Sequence, residues 1–169
     1  PLMIPVLTKL KFGQTIREEG PQAHFKKAGT PTMGGIMFIT AVMLTGFLLG
    51  GRSGEVLCAV LVMLTFGAIG FWDDYIKVVL KRSLGLRARD KLFLQLIAAT
   101  VFWLLLEFYL GRGSSITVPF TAISFDPGPY LYLVFLIIVL MSSSNGANLT
   151  DGLDGLAAGV TFFISVAFA

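Results

Sequence analysis

The sequence predicts an all-α, polytopic bundle of transmembrane helices, and three observations carry that prediction. Apolar residues make up 55% of the 169 positions and charged residues only 14%, whereas an ordinary soluble domain carries about 25% charged residues. The charges are also clustered, so that Ala28–Gly51, Val56–Trp72, Leu92–Leu106, Pro127–Thr150 and Gly155–Ala169 hold none. Finally, the basic residues gather on one side of those gaps. Thr8–Thr32, Asp73–Lys91 and Ser144–Asp154 hold all of the 13 Lys and Arg residues except Arg52 and Arg112, which fall in Gly50–Glu55 and Gly111–Gly128. Basic loops stay in the cytoplasm, so the first set of segments is expected inside and the second outside. This composition excludes an ordinary water-soluble domain. Topology accounts for the basic residues as a group, and no nucleic-acid partner is expected.

Taken in order, the elements fit that frame. A span needs about 20 mostly apolar residues. Pro1–Leu7 reads as the tail of an earlier span, and the Gly- and Pro-containing loop from Phe12 to Gly35 reads as a specific turn rather than a helix. Gly34-Gly35 permits close backbone approach where the next span, Met33–Leu49, begins. Gly46 and Gly50 form a Gly-x-x-x-Gly pair at its outer end, where glycines also end helices, and that plainer reading is preferred. Val56–Trp72 is the following span, and its helix is expected to run on to Lys81 and turn at Gly85. Leu92–Leu110 comes next, with Glu107 near its far end. In Gly111–Gly128, Ile116-Thr117-Val118 before Pro119 and the closing Pro127-Gly128-Pro129 allow a short periplasmic hairpin. Tyr130–Ser143 extends through uncharged Ser, Asn and Gly, and Gly155–Ala169 reads as a span cut by the end of the chain. Residues 1–169 are thus expected to form a single integral membrane domain of about five spans, truncated at both ends. Cys58 is the one cysteine and lies inside a span, so it is read as a small buried hydrophobe.

The chemistry concentrates in Phe71-Trp72-Asp73-Asp74-Tyr75-Ile76-Lys77 and Lys81, directly after an uncharged run of membrane length. Ionisable residues at that depth are costly and mark a functional site by default. On a continuing helix Asp73, Lys77 and Lys81 share one face at i, i+4 and i+8, and Asp74 and Lys77 are neighbours at i, i+3. Adjacent carboxylates repel, so holding both ionised calls for a cation. Mg2+ suits, because it takes oxygen ligands from one or two carboxylates, substrate phosphates and water. A metal and lysines together neutralise a diphosphate and steady a transferring phosphoryl group. At a membrane surface one substrate is expected in the lipid and the other in solution. Trp72 and Tyr75 read as interface anchors.

A second polar cluster spans Ser142–Leu156, where Asn145, Asn148, Asp151 and Asp154 recur every three residues. On an α-helix each such step turns about 300°, so the four share a face only in a 3₁₀-like or broken segment. Gly146, Gly152 and Gly155 make a break reasonable. Irregular backbone near membrane depth has to be buried in protein or line a wet cavity, and a cavity at the cytoplasmic surface is expected. The plainer alternative is a solvated turn between spans.

Three stretches together carry a resemblance. These are Phe12-Gly13-Gln14 through Gly29-Thr30-Pro31-Thr32-Met33-Gly34-Gly35, then Asp73-Asp74-Tyr75-Ile76-Lys77, then Asn145 and Asn148-Leu149-Thr150-Asp151-Gly152-Leu153-Asp154-Gly155-Leu156. In that order they resemble the phospho-MurNAc-pentapeptide translocases, within the polyprenyl-phosphate N-acetylhexosamine-1-phosphate transferase superfamily. The paired Asp belongs to the wider superfamily, whereas the first and third stretches are more specific. The resemblance implies a ten-span fold, of which this chain would hold about five, and transfer of phospho-MurNAc-pentapeptide from UDP-MurNAc-pentapeptide to undecaprenyl phosphate. Products would be lipid I and UMP, on the cytoplasmic face of a bacterial plasma membrane. It further implies dependence on Mg2+, sensitivity to nucleoside antibiotics and a homodimer.

By position the resemblance makes Asp73 the base toward the lipid phosphate and Asp74 a holder of metal and diphosphate, with Asp73 and Asp74 as the metal ligands. Lys77 and Lys81 would contact phosphates. Lys27, Thr32, Asn145, Asn148, Asp151 and Asp154 would line the nucleoside and sugar pocket. The family's third essential aspartate has no counterpart before Ala169, so this chain by itself is expected not to turn over. These residues leave direct attack and an aspartyl intermediate equally open. A sister transferase moving GlcNAc-1-phosphate and, from another class, an ion-coupled transporter are the competing readings. Against the transporter, the acids cluster at one surface with no matching cluster at the other.

Overall fold

The computed structural model describes residues 34–50, 53–80, 82, 84–151 and 155–168. They form helices α1 (Gly35–Leu49), α2 (Gly54–Val78), α3 (Ala88–Leu104), a π-helical turn (Leu105–Tyr109), strands β1 (Ile116–Thr117) and β2 (Ser124–Phe125), then α4 (Pro129–Thr150) and α5 (Leu156–Phe168). Three stretches are long and apolar enough to cross a membrane: Gly54–Val78, Ala88–Tyr109 and Pro129–Thr150. At 1.5 Å per residue the 25 residues of α2 reach about 37 Å, beyond the roughly 30 Å of a hydrocarbon core. The described parts of the two remaining apolar helices, Gly35–Leu49 and Leu156–Ala167, are shorter than a full crossing. The protein is embedded in the membrane through apolar helices, as the charge gaps require. The chain divides into two compact units, Pro1–Ala98 and Ala99–Ala169.

In the first unit, α2 starts where Ser53 accepts a hydrogen bond from the Val56 N–H at 3.3 Å, with Glu55 favourably placed in the first turn. Helix α1 packs on α2 through Gly67, whose missing side chain leaves room for Ile39. The Gly46/Gly50 pair does end α1, with the Gly50 N–H on the Gly46 carbonyl at 2.8 Å. Gly50 also receives Val56 from the start of α2, so the pair serves packing as well. Hydroxyls inside α1 bond back to their own helix, Thr40 to the Ile36 carbonyl and Thr45 to the Ala41 carbonyl. That satisfies them where water is absent. Burial is sparse and centred on α2, at Cys58, Val60, Ile69 and Ile76. Leu48 and Leu49, by contrast, are 79% and 87% exposed, as helix faces solvated by lipid would be.

The second unit holds the π-helical turn, the hairpin, α4 and α5. The Leu110 N–H closes on the Leu105 carbonyl five residues back, and the Arg112 N–H on the Leu106 carbonyl; the turn ends at Gly111, at φ +61°. The short hairpin exists, with Ile116 opposite Phe125 and Thr117 opposite Ser124 in antiparallel register. Its base is tied at Asp126, whose carboxylate accepts from the Ser114 hydroxyl and, at 2.9 Å, from the Gly128 N–H. Those donors favour the charged form and hold the Asp126 carboxyl below its ordinary pKa. Gly128 turns the chain at φ +80° and Pro129 opens α4, where a missing N–H costs nothing.

Candidate active site

The end of α2 reverses the polarity of the helix above it. Asp73 is buried at 5% exposure, while Phe71 and Trp72 beside it are exposed. The i, i+4 spacing brings Lys77 Nζ to 2.5 Å from Asp73 Oδ2, and the i, i+3 spacing brings it to 3.4 Å from Asp74 Oδ1. One ammonium thus serves both carboxylates. The two acids are not equivalent: the Asp73 side chain is 7% exposed and the Asp74 side chain 43%. Asp74 is the acid open to a ligand, and Asp73 is the one held in place. Trp72 and Tyr75 lie tilted against one another, 6.1 Å between ring centroids, on the exposed side where an interface anchor belongs.

The second oxygen of Asp73 is bound from outside the helix. Its Oδ1 accepts the Leu86 N–H at 2.8 Å, thirteen residues along the chain. The helix stops at Val78 rather than Lys81, because the chain folds back there: the Arg82 N–H reaches the Ile76 carbonyl six residues earlier, at 3.3 Å. That closure reaches one residue further than the six-to-one bond of a Schellman turn and, like it, satisfies a carbonyl left open at the helix end. The Gly85 N–H then bonds the Arg82 carbonyl, and Gly85 itself adopts φ +62°. Sequence reasoning identified the turn at Gly85 but not its contact with Asp73, since a backbone N–H has no signature in the sequence. The Gly at that position was the available clue. Lys81 lies outside the described residues, as do Lys27, Thr32 and Asp154.

The second polar cluster departs from expectation. Helix α4 runs unbroken through Asn145, Gly146 and Asn148 to Thr150. Seryl and threonyl hydroxyls bond back to carbonyls four residues earlier, Ser142 to Ile138 and Thr150 to Gly146, so the segment needs no break to satisfy them. The change of direction comes later, with Gly155 at φ +79°. Asn145 is half-buried and donates to the Met141 carbonyl at 2.8 Å, while Asn148 and Asp151 are exposed. Three-residue steps on a regular helix carry Asn145, Asn148 and Asp151 through about 120°, a broad polar flank rather than a single line.

No group of three or more His, Cys, Asp and Glu stands together among the described residues. A divalent ion still fits the donors present. Asp73 and Asp74 offer two carboxylates against the one positive charge of Lys77, and Mg2+ is commonly held by one or two carboxylates with substrate oxygens completing its shell.

Comparison with known proteins bears on the same residues. Among curated relatives, a phospho-N-acetylmuramoyl-pentapeptide-transferase of Desulforamulus reducens is 53% identical over 175 aligned residues, covering 100% of this chain and 52% of that protein. The protein of that name from Pelotomaculum thermopropionicum is 52% identical, covering 99% of this chain and 53% of its own length. The one from Bacillus subtilis is 46% identical, covering 100% and 53%. The chain therefore spans about half the length of the curated relatives it matches. A pattern described as phospho-N-acetylmuramoyl-pentapeptide-transferase signature 1 matches residues 27–39, within the loop and span entry that hold Lys27 and Thr32. The profile of glycosyl transferase family 4 matches residues 56–169, from the first turn of α2 through Asp73, Asp74 and Lys77 to the last residue, and the chain belongs to that family.

Proposed function

We propose that this chain supplies part of the active site of a phospho-N-acetylmuramoyl-pentapeptide transferase. The reaction moves phospho-MurNAc-pentapeptide from UDP-MurNAc-pentapeptide to undecaprenyl phosphate at the cytoplasmic face of a bacterial plasma membrane, releasing UMP. The observation that carries the reading is the Asp73–Lys77–Asp74 cluster, with a buried and an open carboxylate sharing one ammonium at the end of a membrane-length helix. The signature at residues 27–39 favours a muramoyl substrate over GlcNAc-1-phosphate.

In this reading Asp73, fixed by Lys77 and the Leu86 N–H, takes the proton of the lipid phosphate on a remaining carboxylate lone pair. An ammonium has three donors; Asp73 and Asp74 account for two of those on Lys77, and the third is directed to a phosphate oxygen. Asp74, with its exposed carboxylate, helps hold Mg2+, and Asp73 adds the second metal-facing carboxylate. When bound, Mg2+ neutralises the diphosphate and steadies the departing UMP. Lys81 and Lys27 extend the phosphate contacts, and Thr32, Asn145, Asn148, Asp151 and Asp154 form the nucleoside and sugar subsite. The soluble substrate reaches the site from the cytoplasm and the lipid substrate from the bilayer.

The test is substrate discrimination by the full-length protein in detergent. UMP release is expected with UDP-MurNAc-pentapeptide, undecaprenyl phosphate and Mg2+ together, and not with UDP-GlcNAc in place of the muramoyl donor. Equal turnover of UDP-GlcNAc would move the assignment to the sister transferase. Absence of UMP release from either donor would remove the enzyme reading.

A further inference from the structure

The turn that follows α2 is built against Asp73 more closely than a connecting loop requires. Gly85 is buried and sits at φ +62°, a conformation that L side chains rarely adopt. A Cβ placed there would collide with Asp73 Oδ1 and would lie 2.7 Å from Lys77 Cε and 3.0 Å from Asp73 Cγ. The next residue, Leu86, gives its N–H to that same Oδ1 at 2.8 Å. Two independent features, a steric fit and a directed hydrogen bond, thus converge on one carboxylate. Lys77 holds the opposite oxygen at 2.5 Å. A carboxylate gripped at both oxygens from two elements cannot rotate about its Cβ–Cγ bond without losing one partner. Asp74, whose contact with Lys77 is the longer one at 3.4 Å, has no comparable clamp among the hydrogen bonds of the described residues.

We infer that Gly85 and the Leu86 amide are positioning elements for Asp73: the turn presses glycine backbone against the carboxylate so that the following N–H fixes its orientation. The consequence rests on the reading of Asp73 as the base, because a fixed carboxylate presents the same lone pairs to every incoming lipid phosphate. A displacement of about 1 Å at such a group costs on the order of 10²-fold in rate. Gly113 provides an internal control. It has nearly the same backbone conformation, φ +66°, yet nothing lies within 4 Å of a Cβ built there. Alanine at either glycine brings the same local strain, but only alanine at 85 meets Asp73.

The test has a structural arm and a kinetic arm. In the structural arm the full-length protein in detergent is treated with a carboxyl-reactive carbodiimide, and Asp73 and Asp74 are quantified separately by tandem mass spectrometry. Wild type and Gly113→Ala should label Asp74 in large preference to Asp73, whereas Gly85→Ala should bring the two within about threefold, as loss of a single orienting contact would. A backbone ester at Leu86, which deletes the N–H and adds no atoms, should do the same. In the kinetic arm, full-length Gly85→Ala should lose about 10- to 100-fold in kcat with KM for the soluble donor within twofold, while Gly113→Ala behaves as wild type. Labelling ratios that are unchanged in both the Gly85 and Leu86 variants would overturn the inference. Asp73→Asn separates the two ideas. If it keeps wild-type turnover, the role of Asp73 as base fails whatever the labelling shows. If it is inactive while Gly85→Ala matches Gly113→Ala in both arms, the positioning role alone fails.

Discussion

The ion pair at the foot of α2 can be weighed by a double-mutant cycle of Asp73→Asn and Lys77→Met. Asparagine keeps an oxygen for the Leu86 N–H but turns an amide toward the Lys77 ammonium, replacing an acceptor at 2.5 Å by a donor. A hydrogen bond to a charged group contributes about 1.5–3 kcal/mol. Lys77 is 33% exposed, and screening by solvent reduces the coupling to about 1–2 kcal/mol. Asp74 at 3.4 Å partly replaces the lost partner in Asp73→Asn, which also keeps the figure at the low end. Lys77→Met leaves the 7%-exposed Asp73 carboxylate held by the Leu86 N–H without its ammonium partner, so this single variant is expected to be the less stable of the two. The double variant removes both charges and should recover part of that loss. Reversible SDS unfolding in mixed micelles, followed by helix content, measures each corner of the cycle. A coupling below about 0.3 kcal/mol, the usual error of additivity, would refute the claim that Asp73 and Lys77 act as a pair.

Three further outcomes follow from the same geometry. Gly67→Leu should destabilise the α1–α2 contact by about 1–3 kcal/mol through overpacking, because even a Cβ at that position comes within 2.6 Å of Ile39 Cδ1; Ile39→Ala should recover most of the loss in the same SDS titration. In the hairpin, the donors to Asp126 depress its folded-state pKa, so their stabilisation is complete above the ordinary aspartate value and is lost as pH falls through the depressed one. A carboxyl NMR titration should therefore show Asp126 ionising below the ordinary aspartate value, and Ser114→Ala should move it upward. Lys77→Met should reduce UMP release as severely as removal of a phosphate contact does, about 10²-fold or more, measured on the full-length protein.

Much of this arrangement was legible in the sequence because the membrane imposes a severe code. Uncharged runs such as Val56–Trp72 have few structural meanings, and i, i+4 spacing alone puts Lys77 on Asp73. The asymmetry between Asp73 and Asp74 was not legible, because it comes from a turn that returns from thirteen residues away. The end of α2 has the same origin: Val78 to Lys81 reads as good helix in the sequence, and the Arg82 N–H closing onto the Ile76 carbonyl overrides it. At Gly146 the difference between sequence and structure has the opposite sign. Glycine lowers helix propensity, but in a lipid-solvated span an intact helix satisfies every backbone group, and α4 continues through it. The π-helical turn at Leu105–Tyr109 has no glycine or proline inside it to announce it.

In the proposed reaction the Asp73 carboxylate, clamped at the foot of a membrane helix, takes the proton of the lipid phosphate. Asp73→Asn in the full-length protein, assayed for UMP release at saturating lipid and nucleotide substrates, tests this most directly. A loss of at least about 10²-fold is expected, the contribution of a positioned general base, with the variant still folded and still binding the nucleotide donor. Turnover within about threefold of wild type, far short of that contribution, would contradict it.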